Sequence, residues 1–428
     1  IAYLSIDKFI KSPDKIFKMR ASRRLFQALA IATLGITTKF FVTTYYVLGY
    51  GKVLTYNDAT CKLHGTPEML GSEDLAIGKD GVLFVTSGDL HNVFDHGSRA
   101  AKPGGLWVLN FNANANANAN ANANQLHQLQ LEGFDQELHG FHAHGIFISN
   151  ITDRLYVVNH AHEYSGIEIF HIEYAASSSG KFPVLQHEGT IGGDGRTFLR
   201  GSLNDVVEGG NEISEVYITQ WLPNAIPLKG KKATQKTMSE TIGLLGNVAA
   251  QLFRIKQTML YRCARSQHEG WECLPATTIK FVSANGITIS SDRSRVFVND
   301  PPLHTISMFD RREDGTLKYM SSFDTVDVMD NIEYQQDGDD SDYSIIMGSI
   351  DKPHQYSIDK DILGKQNVPV SGGAVVAHYS KVEDQWRMER LVTHDGRLLS
   401  QISAAARWGS TLVMGSPFST GLLVCIIA

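Results

Sequence analysis

Five short polar pairs, each about 10–14 residues ahead of an apolar run, are the residues of this chain best suited to chemistry. They are Glu73-Asp74, His144-Gly145, Asn204-Asp205, Asn285-Gly286 and Asp330-Asn331, and Ser403-Ala404 stands in the same place before a sixth run. Carboxylates and amide carbonyls are hard oxygen donors, and calcium gathers about six to eight such oxygens. Glu73, Asn204, Asn285, Asp330 and Asn331 therefore read as one cation site, whose amides limit its negative charge and leave the ion able to polarise a substrate oxygen. Taken singly, each Asn-Gly or Asn-Asp is an ordinary turn signal. Recurrence at a similar offset is what joins them. His144 opens the second pair and His160 closes the run after it, and an imidazole titrating near neutrality suits activation of water. His139, His142 and His162 crowd the same stretch as rivals. No Gly-x-Ser-x-Gly elbow occurs, which disfavours serine-esterase chemistry.

The six runs are Leu83–Thr86, Leu155–Val158, Val216–Thr219, Val296–Val298, Ser344–Met347 and Leu412–Met414. Each is short, β-branched or aromatic, and bounded by turn residues such as Lys79-Asp80-Gly81, Asp314-Gly315 and Asp395-Gly396. A coarse period of about 50–80 residues built from such strands predicts an all-β, six-bladed propeller, in which features at equal offsets arrive at equal height around one channel.

Bulk properties agree with one globular unit: 428 residues, 43% hydrophobic, 20% charged. A net charge of −6 and a pI of about 6.2 argue against nucleic acid as a partner. Residues 1–55 read as a leader and 56–428 as the propeller. Arg20, Arg23 and Arg24 precede an uncharged stretch from Leu25 to Thr38 and, past Lys39, a second apolar run from Phe40 to Tyr50. That order resembles a signal peptide or signal anchor and predicts an N-terminal hydrophobic helix; the bland reading is a buried first helix of the domain. Met19 reads as an alternative start, and Ile1 as the mark of an incomplete or processed N-terminus.

An even number of cysteines behind such a leader favours two disulfides over buried free thiols. A Cys61–Cys425 bond would fasten first blade to last, worth roughly 4–5 kcal/mol in the chain-entropy model, and Cys263–Cys273 would staple a hairpin. No C-x-x-C is present to suggest a metal. Asn150-Ile151-Thr152 is a glycosylation sequon usable in the secretory route. Between the third and fourth runs, residues 222–256 hold Lys229, Lys231, Lys232 and Lys236 ahead of Ile242, Leu244, Leu245, Val248, Leu252 and Phe253. The spacing predicts an amphipathic helix that lies on a membrane or lipid surface, or caps the channel as a lid. The Asn-Ala alternation of residues 112–124 has no apolar face and reads as a loop.

In order along the chain, Gly71-Ser72-Glu73-Asp74-Leu75, His144-Gly145-Ile146, Val157-Val158-Asn159-His160, Leu203-Asn204-Asp205, Ala284-Asn285-Gly286-Ile287 and Asp330-Asn331-Ile332 resemble the paraoxonase and arylesterase family of calcium-dependent lactonases. The resemblance implies a six-bladed propeller with two calcium ions in its channel. It implies a catalytic ion on Glu73, Asn204, Asn285, Asp330 and Asn331, and a structural ion on Asp74, Asp205 and the carbonyl of Ile146. His144 would act as base with His160 tuning it, on lactones and aryl esters, in a secreted or membrane-associated protein closed by Cys61–Cys425. His142-Ala143 departs from the family's Asn-Pro, and Ser349-Ile350 replaces a free Cys and a further active-site His of mammalian members. Two other readings are a metal-free propeller enzyme of the strictosidine-synthase type and a non-catalytic, membrane-anchored binding propeller.

Overall fold

In the computed structural model, the described residues are 27–427 apart from 28, 29, 32, 36, 43, 46, 47, 112–125, 175–181, 193–198, 211–213, 226–237, 267–269, 336–342 and 356–368. The arginine cluster, the four insertion lysines and the Asn-Ala segment lie outside them. Each apolar run is the second strand of an antiparallel sheet: Val82–Ser87, Arg154–His160, Glu215–Leu222, Arg295–Asp300, Tyr343–Ile350 and Thr411–Gly415. Six such sheets form the blades of a β-propeller. Blade two carries a fifth strand, Leu131–Glu132, parallel to Val184–Ile191.

These runs are apolar throughout because both faces of a blade are covered by neighbours. Along Arg154–His160, Leu155 and Val157 point into the core shared with blade one, beside Phe84 and Val108. Tyr156 and Val158 point the other way, into the core shared with Val216 and Ile218 of blade three. The strand period of two thus splits each run between two cores. Six such clusters circle the molecule, the last joining Leu83 and Trp107 of blade one to Val413 and Leu422 of blade six.

Blade six closes with the N-terminal segment. Lys62–His64 pairs antiparallel with Leu422–Ile426, and the Cys61–Cys425 disulfide locks that pairing. Cys263–Cys273 spans the hairpin of Leu260–Ser266 and Gly270–Pro275. The inserted helix is present as Met238–Leu252. Asn247 pins it by accepting from the Asn224 backbone N–H at 3.0 Å and donating to its carbonyl at 3.1 Å. The described residues between 27 and 45 are helical and mostly exposed. Among the described residues no helix is long and apolar enough to cross a membrane.

Candidate active site and metal centre

The five polar pairs all sit where an innermost strand leaves its ladder. In blades two, three and five the register slips between Ala143 and Ile146, Leu203 and Val206, and Met329 and Ile332, which are the residues flanking each pair. In blades one and four the strand begins immediately after the pair, at Leu75 and Ile287. A bulge turns consecutive side chains away from simple alternation and so re-aims them. The backbone groups it frees are paired elsewhere. Thr86 Oγ1 accepts from the Asp74 N–H at 2.9 Å, and Thr219 Oγ1 accepts from the Asp205 N–H at 3.0 Å.

Contacts between blades tie the pairs into one ring. Asp74 accepts the Ile146 N–H at 2.9 Å, and Asp205 accepts the Ile287 N–H at 2.8 Å. Asn331 donates to Glu73 Oε2 at 3.0 Å and to the Glu73 carbonyl at 2.9 Å. Ser403, the sixth-blade residue without an obvious role in sequence, donates to the same carbonyl at 2.7 Å and accepts the Asn331 N–H at 2.9 Å. Glycine in the second and fourth pairs answers the close approach of the next blade: a Cβ on Gly145 would lie 2.4 Å from the Asn204 carbonyl oxygen.

Three amide oxygens of this ring, on Asn204, Asn285 and Asn331, are buried and have no hydrogen-bond partner among the described residues. An orphaned acceptor of this kind is uncommon in a folded interior. Three together, from three blades, beside the Glu73 and Asp330 carboxylates, are the donor set a hard cation needs. Burial, with Glu73 adding to it, pushes Asp330 up to about 7. Burial pushes Asp205 up to about 8, and it holds Asp74 well above the ordinary range, helped by Asp205, Glu73 and Glu333. Glu333 is raised in the same way, by burial and then Asp205. It stands within electrostatic reach of both aspartates, and the sequence did not mark it because no pair motif includes it.

The two histidines meet across blade two. His144 Nδ1 and His160 Nε2 are 2.9 Å apart, both rings buried. His144 Nε2 lies 3.4 Å from Glu73 Oε1 and 3.4 Å from Asn204 Nδ2, so its far edge faces the donor ring. Burial works against charge on His144, but Glu73 first, then Asp330 and Asp205, raise its pKa on balance. His160 is held well below its usual value by burial, then by His144 and His142. Proton affinity is therefore concentrated on the imidazole nearer the donor ring. Phe94, on the short helix Leu90–His96, packs against both imidazoles and against Trp221, with centroids 5.6–6.1 Å apart. Neither aromatic was marked in the sequence, because single aromatics carry no spacing signal.

Of the rival histidines, His139 is exposed, and His162 is half-buried with its Nδ1 3.1 Å from Ser98 Oγ. His142 is buried, and burial followed by His162 lowers it to about 4. Ser349 belongs to a polar network with Asp351 and Arg390. Asp58, His394 and Asp395 form a cluster at the outer edge of blade five. There His394 Nδ1 accepts the Gly396 N–H at 2.8 Å, so the neutral ring carries its proton on Nε2 and offers no lone pair to a metal. Asn150 is exposed at the end of the innermost strand of blade two.

Comparison with known proteins agrees with the channel motifs. The arylesterase family model matches residues 276–426. Human serum paraoxonase/lactonase 3 is 25% identical over 350 residues, covering 81% of this chain and 84% of that protein. Chicken serum paraoxonase/arylesterase 2 is 23% identical over 358 residues, covering 82% and 85%. The chain is similar to the paraoxonase/arylesterase family, by that family model over its C-terminal third and by these relatives over most of its length. Solved structures similar to this chain include a luciferin-regenerating enzyme (TM-score 0.43, 11% identity, 86% of this chain and 95% of that one). Another is a Pseudomonas aeruginosa periplasmic gluconolactonase (TM-score 0.41, 10% identity, 86% and 96%).

Proposed function

We propose that this protein is a calcium-dependent hydrolase of lactones and aryl esters. The observation that carries the reading is the trio of orphaned amide oxygens on Asn204, Asn285 and Asn331 beside Glu73 and Asp330. Those five residues would hold the catalytic calcium, and Asp74, Asp205 and the Ile146 carbonyl a second, structural one. When bound, the catalytic ion supplies positive charge to the substrate carbonyl oxygen as it becomes an oxyanion. His144 takes a proton from water at Nε2, the ring edge that faces the donor set. His144 Nδ1, bonded to His160 Nε2, keeps the ring oriented while it carries that charge. Phe94 and Trp221 cover the dyad with apolar rings, which suits an ester or lactone with a flat or aliphatic body.

The similar proteins are named as serum proteins, which supports a secretory route, an extracellular or lumenal propeller and a usable sequon at Asn150. A membrane or lipid surface is proposed as a second partner. Ile31, Leu34 and Phe41 of the N-terminal helical segment are exposed, as are Ile242, Leu245 and Phe253 around the inserted helix, and Phe40 stacks on Phe253 at 5.3 Å.

The test is hydrolysis of a panel of lactones and phenyl esters with calcium and with excess chelator. Asn285→Ala is expected to abolish turnover and to weaken calcium binding, as chelator does. Full aryl-ester turnover in chelator would overturn the metal reading, and intact folding with no hydrolysis anywhere in the panel would favour a binding propeller.

A further inference from the structure

His160 and Ser165 face each other across the hairpin that joins the second and third strands of blade two, as registered partners. His160 Nδ1 and Ser165 Oγ are 3.1 Å apart. Both flanks of that hairpin are anchored on the buried Glu168 carboxylate, which accepts from Asn159 Nδ2 at 3.1 Å and from the Tyr164 hydroxyl at 2.8 Å. Asn159 in turn accepts the His142 N–H at 2.9 Å, so the strand bearing His144 rests on the same anchor. The hydroxyl is thus held at the far nitrogen of the dyad by backbone register as well as by its own bond.

We propose that Ser165 is a positioning residue that, by accepting at the far end of the histidine dyad, satisfies its productive tautomer, a role that rests on His144 being the base. Each imidazole of the array carries a fixed number of protons, and these must be placed consistently from one end to the other. A neutral imidazole has one N–H and one lone pair, and which nitrogen holds the proton is set by the bond the other makes. His144 can take a proton at Nε2 only if its own proton sits on Nδ1. That proton is donated to His160 Nε2, which must then be a lone pair. The His160 proton is consequently on Nδ1, and Ser165 Oγ is the acceptor placed to receive it. In the opposite order Ser165 donates to His160, His160 donates to His144, and His144 Nε2 is already protonated and inert. Burial beside His144 and His142 keeps His160 uncharged, so its choice between two neutral tautomers is a real one. Without the hydroxyl, a buried N–H at Nδ1 would have no partner, and the neutral ring would shift toward the unproductive form.

The array has the logic of a serine–histidine–aspartate triad read backwards, with the hydroxyl at the orienting end and no nucleophile among the three. No bond is made to Ser165 during turnover.

Full-length, calcium-loaded protein carrying Ser165→Ala, Ser165→Thr or His144→Gln would be assayed on a phenyl ester and a six-membered lactone. The ring nitrogens of His160 would be followed by 15N NMR. Ser165→Ala is expected to lower kcat about tenfold with KM nearly unchanged, and to shift the His160 nitrogens from the Nδ1–H pattern toward a mixture. Ser165→Thr, which keeps the hydroxyl, is expected to restore both. Unchanged kcat together with unchanged 15N shifts in Ser165→Ala would overturn this role while leaving the base intact, provided His144→Gln is inactive. Full turnover in His144→Gln would instead remove the base itself, and the role of Ser165 with it.

Discussion

At the residue scale, the channel holds carboxylates that resist ionisation when no cation accompanies them. Asp330 and Asp205 bind protons more tightly folded than unfolded, where the ordinary value is 3.8. A raised acid favours folding most below its unfolded value, and that contribution is lost as pH rises through the folded values near 7 and 8. Buried His142 and His160 have the opposite sign, but their effect is complete above the ordinary histidine value of 6.5. In chelator, Tm should therefore fall between about pH 6.5 and pH 8.5, and with calcium bound the fall should vanish because the ion replaces the protons. A flat Tm in chelator over that range, read by calorimetry, would contradict the carboxylate ring. His144→Gln should cut kcat by about 100-fold or more while moving Tm little, since amide and imidazole are similar in size.

At the element scale, the inner strands do two jobs at once: they end a ladder and they present donors. The bulges explain how neighbouring residues such as Asn204 and Asp205 both become channel residues, which strict strand alternation forbids. The close approach of the next blade explains why glycine recurs in the pairs. Gly145→Ala would set a methyl against the Asn204 carbonyl at 2.4 Å and Asp205 Oδ1 at 2.5 Å, with backbone on one side and a ring donor on the other. The expected result is a loss of about 1–3 kcal/mol in stability and a weakened affinity for calcium, measured by denaturant unfolding and calorimetric titration. A variant with native calcium affinity would show that the next blade can yield at that point. The inserted helix Met238–Leu252 keeps Ala250 buried but leaves Leu245 and Val248 exposed. Replacing Leu245 and Phe253 together by Glu should reduce co-sedimentation with phosphatidylcholine vesicles without changing turnover of a soluble ester.

At the scale of the whole molecule, a propeller has no central core and is held as a ring of six interfaces. Its weak point is the joint, where Lys62–His64 completes blade six and Cys61–Cys425 ties ends 364 residues apart. Cys61→Ser with Cys425→Ser should lower stability by up to about 5 kcal/mol, seen as a lower Tm, with activity retained below the new transition. The ring also accounts for how much could be read in advance. The second strands are the most buried parts of each blade, so they are continuous apolar runs that stand out in sequence. The donor pairs repeat because every blade meets the axis at the same point. Glu333, Phe94, Trp221 and Ser165 do not repeat: Phe94 and Trp221 meet the dyad from distant parts of the chain, whereas Ser165 reaches His160 across a tight hairpin.

The amino-acid order alone determined the period of the blades, the chemical kind of the channel donors and the cysteines at the joint, because each is a local pattern or a recurrence. Only the tertiary structure decided that the three asparagine oxygens are left without partners, that His144 and His160 share a hydrogen bond, and that His142 is held away as a neutral buried ring. Those are properties of burial and distance between blades, and a distance between blades has no counterpart along the chain.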